Sequence, residues 1–105
     1  MSPAAFIKTA LESDPKYAAA YTGLGAAYRL AGDRDAAITC WSEAVKLDPV
    51  HKFALYNLGV AYLEKGDKAN ALTCLKRYKD RYYKGLSSAE KASLDADIEK
   101  CRKTP

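Results

Sequence analysis

Apolar residues recur along this chain at three- and four-residue steps, and short polar pairs interrupt them at regular intervals. Leu24, Ala27, Tyr28 and Ala31 make one such run, and Leu55, Leu58, Gly59 and Tyr62 make another. That spacing lays each set on one face of a helix. The interruptions read as helix punctuation. Gly32-Asp33 and Gly66-Asp67 each supply a glycine to end one helix and an aspartate to cap the next. Asp14-Pro15 and Asp48-Pro49 place an N-cap acceptor before a proline, whose missing N–H is harmless in a first turn. Ser87 and Glu90 have the spacing of a capping box. The pattern predicts helices over about 2–13, 15–31, 33–47, 49–65, 67–84 and 88–103, all-α and without strands.

Gly23 and Gly25 lie inside one of these helices, where each glycine costs about 1 kcal/mol relative to alanine. A repeat explains one of them. "LGAAY" at 24–28 returns as "LGVAY" at 58–62, a displacement of 34 residues. At the same displacement Gly32-Asp33, Ala37 and Thr39-Cys40 return as Gly66-Asp67, Ala71 and Thr73-Cys74. Ten of the 34 aligned positions are identical and all precede Trp41, so the second copy drifts in its last third. Gly25 and Gly59 each follow a core leucine and precede a core tyrosine. A residue without Cβ there lets the paired helix approach more closely than the usual spacing of about 8–10 Å. Gly23 has Asn57 as its counterpart, and the packing argument does not extend to it.

Residues 18–51 carry Tyr21, Leu24, Gly25, Tyr28, Ala37, Trp41, Ala44 and Pro49 in order. In this pattern the chain resembles the tetratricopeptide-repeat family. The resemblance implies an α-solenoid of antiparallel helical hairpins, about six helices in one domain over residues 1–105. Its parts are a half repeat at 2–17, full repeats at 18–51 and 52–85, and a closing helix within 86–105. The second repeat departs from the family at Tyr78, which stands where the first has Ala44, and at Tyr83, which replaces the closing proline. Tyr78 is expected to push the following helix off standard spacing. The closing helix carries a small-residue face of Ala89, Ala92, Ser93 and Ala96.

Composition narrows the chemistry. Few β-branched residues and 49% hydrophobic content suit a packed helical domain. No run approaches the roughly 18 apolar residues of a membrane span, and the start lacks the layout of a secretory signal, so a cytoplasmic location is expected. The chain also reads as a piece that further repeats could precede. His51 is the single histidine and is expected in a solvated turn. With Cys40, Cys74 and Cys101 scattered, no zinc site or Cys–His nucleophile pair forms on paper. Cys40 and Cys74 fall on equivalent places of neighbouring hairpins, about 10 Å apart by helix spacing, beyond disulfide reach. No glycine-rich phosphate loop is present. The expectation is a protein that is not an enzyme, with no cofactor, no metal and no small-molecule substrate.

What remains is a surface. By the resemblance, the first helix of each hairpin lines a concave groove. The register places Ala19, Thr22, Ala26, Arg29 and Leu30 there from the first repeat. The second contributes Phe53, Tyr56, Asn57, Val60, Leu63 and Glu64, and Leu94 and Ile98 join if the closing helix keeps register. Phe53, Tyr56, Val60 and Leu63 form an apolar stripe separate from the hairpin core. Either a partner or neighbouring helices could cover it. The family's clamp for acidic chaperone tails is incomplete, because Asn57 matches while Thr22 and Ala26 replace its lysine and asparagine. The function expected is an adaptor binding a protein or peptide segment with apolar anchors. Two alternatives stand beside it. Net charge is −1 over 1–50 and +5 over 51–105, and Arg77, Arg81 and Lys84 make a basic stripe beside Tyr78 and Tyr82 that could meet RNA. A solvated convex face explains those residues more simply. Phe6, Ile7, Ala10 and Leu11 could make the half repeat a self-associating, homo-oligomeric scaffold, unless upstream repeats cover them.

Overall fold

A computed structural model describes residues 18–103, and the half repeat at 2–17, with its apolar stripe, lies outside the described residues. Five α-helices follow one another: α1 (Ala18–Leu30), α2 (Arg34–Leu47), α3 (Lys52–Lys65), α4 (Lys68–Tyr82) and α5 (Ser88–Arg102). A 3-10 turn at Tyr83–Gly85 joins the last two. No strand occurs among the described residues. The chain divides into two compact units, one ending at Ala54 and the other beginning at Leu55.

In the first unit α1 and α2 pair as an antiparallel hairpin. Leu24 and Cys40 pack together with Ala20, Tyr21 and Tyr28 against them. Ala37, Ile38, Trp41 and Ala44 complete the buried face of α2. Trp41 is 2% exposed. Its indole lies directly on Gly25, and a Cβ added there would come within 2.7 Å of Cδ1. The buried indole N–H donates to the Thr22 carbonyl at 3.1 Å, which satisfies the one polar group the ring carries. Gly32 then ends the hairpin's first helix at φ 86°, a conformation that favours glycine. Asp33 N–H donates to Tyr28 and Gly32 N–H to Arg29, the paired bonds of a Schellman turn. The Asp33 carboxylate accepts from Ala36 N–H at 3.1 Å and caps α2.

The same devices recur in the second unit. Gly66 has φ 90°, Asp67 N–H donates to Tyr62 and Gly66 N–H to Leu63, and Asp67 caps α4 through Asn70 N–H. A Cβ on Gly59 would meet Leu75 Cδ2 at 2.7 Å, so there too a large side chain of the second helix fills the space the glycine leaves. Leu55, Leu58, Ala71, Cys74, Leu75 and Tyr78 are buried, and α5 adds Leu94, Ile98 and Cys101. Ser87 and Glu90 form the expected capping box at the start of α5.

Two boundaries move. The helix expected from 49 begins at Lys52. Asp48 does not cap it, because its carboxylate accepts from Val50 N–H at 3.2 Å and closes a turn instead. His51 takes over, its Nδ1 accepting from Ala54 N–H at 3.2 Å, so the residue expected to be merely solvated is the cap of α3. The helix expected to reach 84 ends at Tyr82, where the chain tightens into the 3-10 turn and Leu86 N–H donates to Tyr83.

The two interior glycines of α1 should respond oppositely to alanine. Gly23 is exposed with nothing within 4 Å of an added Cβ, so Gly23→Ala should raise unfolding stability by about 0.5–1 kcal/mol. Gly25→Ala forces a methyl into a rigid buried indole and should lower it by about 2 kcal/mol or more. Urea unfolding of the two variants, side by side, is the measurement; equal shifts would contradict the close packing of α1 on α2.

Candidate functional site

Helix α1 divides cleanly into two faces. Leu24 and Gly25 turn to α2, while Ala19, Ala26 and Arg29 are exposed and Thr22 is half-buried. Thr22 is also tied to the core, since its carbonyl holds the Trp41 indole and its hydroxyl donates to the Ala18 carbonyl at 3.0 Å. Leu30, at the helix end, is 90% exposed.

Helix α3 carries two apolar stripes with different fates. Ala54, Leu55, Leu58 and Ala61 are buried. Phe53 is 66% exposed, Tyr56, Asn57, Val60 and Leu63 are half-buried, and Glu64 is exposed. Tyr56 rests its ring on Tyr78 at 5.2 Å between centroids, and Tyr78 rests on Tyr82 at 5.4 Å. Within the second unit, Val60, Leu63 and Glu64 line a cleft of about 560 Å³ with Lys68, Asp97, Lys100 and Lys103. Lys68 Nζ donates to the Lys103 carbonyl at 2.8 Å, and Lys100 stands 3.8 Å from Asp97.

The expectation that Leu94 and Ile98 join the groove is not met. Both are buried, Leu94 at 1% and Ile98 at 4% exposure, because α5 turns its large aliphatic residues inward and leaves the small face of Ala89, Ala92, Ser93 and Ala96 in solvent. The side of α5 that reaches the cleft is Asp97, Lys100 and Lys103, which register arguments missed. Their i, i+3 spacing was visible in the sequence, but the rotation of α5 about its axis was not. Tyr78, the expected companion of the basic stripe, is buried against Tyr56 and Tyr82 and offers no face to a base. Arg77, Arg81 and Lys84 are exposed.

A polar cluster on another side of α5 accompanies that rotation. Asp95 on α5 accepts from Lys79 at 2.8 Å and from the Tyr83 hydroxyl at 2.7 Å. Lys79 and Lys91 also stand over the Tyr83 ring, at 4.7 and 5.1 Å from its centroid. The hydrogen bond from Lys79, with that from Tyr83, holds the Asp95 carboxyl below the usual carboxylate range. The same bonds raise Lys79 and Tyr83 above their ordinary values. Burial pushes Cys74 up to about 11 and raises Cys40 and Cys101 as well. All three thiols are free. Each shift favours the form a group already has at neutral pH, the reverse of what acid–base or nucleophilic chemistry needs. Among the described residues no cluster of His, Cys, Asp and Glu could hold a metal ion, and no helix is long and apolar enough to cross a membrane.

Comparison with known proteins agrees with this architecture. A family profile described as Tetratricopeptide repeat matches residues 27–85, more than half of the chain. No curated protein matches. The crystal structure of MamA superposes with a TM-score of 0.66 at 26% identity, over 90% of this chain and 58% of that one. The chain thus spans little more than half the length of that neighbour.

Because the Asp95 carboxyl is depressed in the fold, its contribution is present above the ordinary carboxylate range and is lost as pH falls through the lowered value. Asp95→Asn should therefore melt below wild type at pH 7, with the gap closing under acidic conditions; a gap that persists at the lowest pH would assign the loss to packing. The thiols supply a second check. In the native protein at pH 8 all three should react with DTNB at least about a hundredfold more slowly than in denaturant.

Proposed function

The chain belongs to the tetratricopeptide-repeat family, and from that premise we propose that it is a non-catalytic interaction module, an adaptor or scaffold, that binds a segment of another protein. The binding residues are the outward faces of the first helix of each hairpin: Ala19, Thr22, Ala26 and Arg29 on α1, and Phe53, Tyr56, Asn57, Val60, Leu63 and Glu64 on α3. The observation that carries this reading is Phe53. It is a large aromatic residue, 66% exposed, heading an apolar stripe of which Tyr56 rests on the buried Tyr78. Such residues supply most of the energy at protein interfaces. The Asn57 amide makes no hydrogen bond within the described residues, which leaves it able to pair with a partner's backbone. Free, buried thiols fit a reducing compartment.

The Tyr78 burial counts against RNA, since stacking needs an open ring. The partner is a segment of roughly ten to fifteen residues, bound at micromolar strength.

Selection of peptides from a random phage library against the immobilised chain tests the reading. Phe53→Ala should weaken the selected peptides at least about tenfold, the size of a modest hot spot. It should shift the thermal melt only slightly, because the ring is 66% exposed and meets the His51 ring only edge-on. Arg77→Ala/Arg81→Ala should leave affinity within about twofold. Loss with the arginines and a steep salt dependence, with Phe53→Ala silent, would reverse the assignment toward nucleic acid.

A further inference from the structure

The cleft beside α5 has a composition that the apolar stripe alone does not explain. Its floor is Val60 and Leu63, and its rim holds three lysines, Lys68, Lys100 and Lys103, against two carboxylates, Glu64 and Asp97. The volume, about 560 Å³, lies within the roughly 300–1,000 Å³ usual for ligand sites. The rim charges are unevenly satisfied. Lys100 lies at the long distance of 3.8 Å from Asp97, with its own side chain 65% exposed, a geometry that neutralises little. Lys68, which also lines the cleft, donates to the Lys103 carbonyl, a bond that orients the ammonium without cancelling its charge. The Lys103 ammonium has no ion-pair partner among the described residues.

We propose that this cleft binds an extended peptide segment in which a large aliphatic side chain is flanked by aspartate or glutamate. The inference rests on the interaction-module reading above and names the partner's chemistry at one part of the surface. The aliphatic side chain covers Val60 and Leu63. Seating it strips water from the inner side of the lysine rim, and desolvated ammoniums need carboxylates opposite them. The lysine stems extend the apolar wall up to those charges, so one residue pair satisfies both parts of the cleft. A neutral apolar peptide leaves the ammoniums unpaired, and a bare phosphate leaves the floor uncovered. The occupant is therefore acidic and apolar together, unlike the purely apolar partner that the α3 stripe alone predicts.

Fluorescence anisotropy tests this with two labelled probes: a short peptide alternating leucine with aspartate and glutamate, and its twin carrying asparagine and glutamine. The full chain should prefer the acidic probe at least about tenfold, and Lys100→Glu/Lys103→Glu should remove that preference. Arg77→Glu/Arg81→Glu changes net charge equally on exposed residues away from the cleft lining, and should leave the preference within about twofold. Equal affinity for the twin, no binding of the acidic probe, or equal loss in both double variants would overturn the proposal. So would competition by poly-uridine RNA that disappears with the cleft variant while the acidic probe binds no better than its twin. If library-selected peptides lack carboxylates and ignore Lys100→Glu/Lys103→Glu yet depend on Phe53, the interaction module stands and the acidic-partner inference falls.

Discussion

The absence of a side chain at Gly25 and Gly59 is the constraint on which both units depend. In each hairpin a large residue of the second helix occupies the space where a Cβ would be, Trp41 in the first and Leu75 in the second. Interior glycines weaken a helix, but here they let a bulky apolar side chain lie against the partner backbone, and burial of that side chain offsets the propensity loss. The indole makes the constraint tighter in the first unit. Its N–H must find an acceptor once buried, and the Thr22 carbonyl provides it. Thr22 therefore belongs to the core through its backbone and to the outward face through its position, so the face of α1 is set by how α1 meets α2.

The repeat does not reproduce this solution residue for residue. Trp41 becomes Leu75, which removes volume, while the equivalents of Thr22 and Ala44 become Tyr56 and Tyr78, which add it. Those two tyrosines contact each other in the second unit, centroids 5.2 Å apart, and Tyr82 extends the row. The aromatic mass has moved from the glycine contact toward the end of α4. The exchange adds volume overall, and the half-buried Tyr56 carries part of the excess out of the interior. It also accounts for Tyr78, which sits buried where a small residue was expected without disrupting the hairpin.

Features set within a few residues of sequence were legible before any coordinates. Gly32-Asp33 and Gly66-Asp67 form the same turn and cap because their chemistry is complete in that dipeptide and its neighbours. The Ser87–Glu90 box is equally local. Asp48 misled for a local reason too: an aspartate before proline can cap a helix or close a turn, and the Val50 N–H decides between them. His51 carries no cap signal in isolation, because a neutral imidazole accepts only when the turn before it presents the ring to the helix. On α3 the expected core residues Leu55, Leu58 and Gly59 are buried, while Tyr62 is half-buried like Tyr56, Asn57, Val60 and Leu63. Periodicity assigns a face within one helix but not how deep that face lies. Leu94 and Ile98 were misassigned, since periodicity cannot say which face of α5 its neighbours take.

Burial of Leu94, Ile98 and Cys101 supplies that missing information, and the Asp95 cluster accompanies it. Leu94, Ile98 and Cys101 follow one another at helical spacing, and so do Asp97, Lys100 and Lys103 on the adjoining face. Asp95 stands beyond the aliphatic row, on the side away from the charged one. The Lys79 and Tyr83 bonds to Asp95 agree with a rotation that buries the aliphatic row and brings Asp97, Lys100 and Lys103 beside Val60 and Leu63. The 3-10 turn contributes Tyr83 itself, whose hydroxyl donates to Asp95. A departure from the repeat at the end of α4 thus converts a closing helix into one wall of a charged cleft. The positive excess of residues 51–105 becomes, in part, a structural consequence of that wall. The lysines Lys68, Lys100 and Lys103 come from two helices and the end of one of them, and only the rotation of α5 gathers them at a single place.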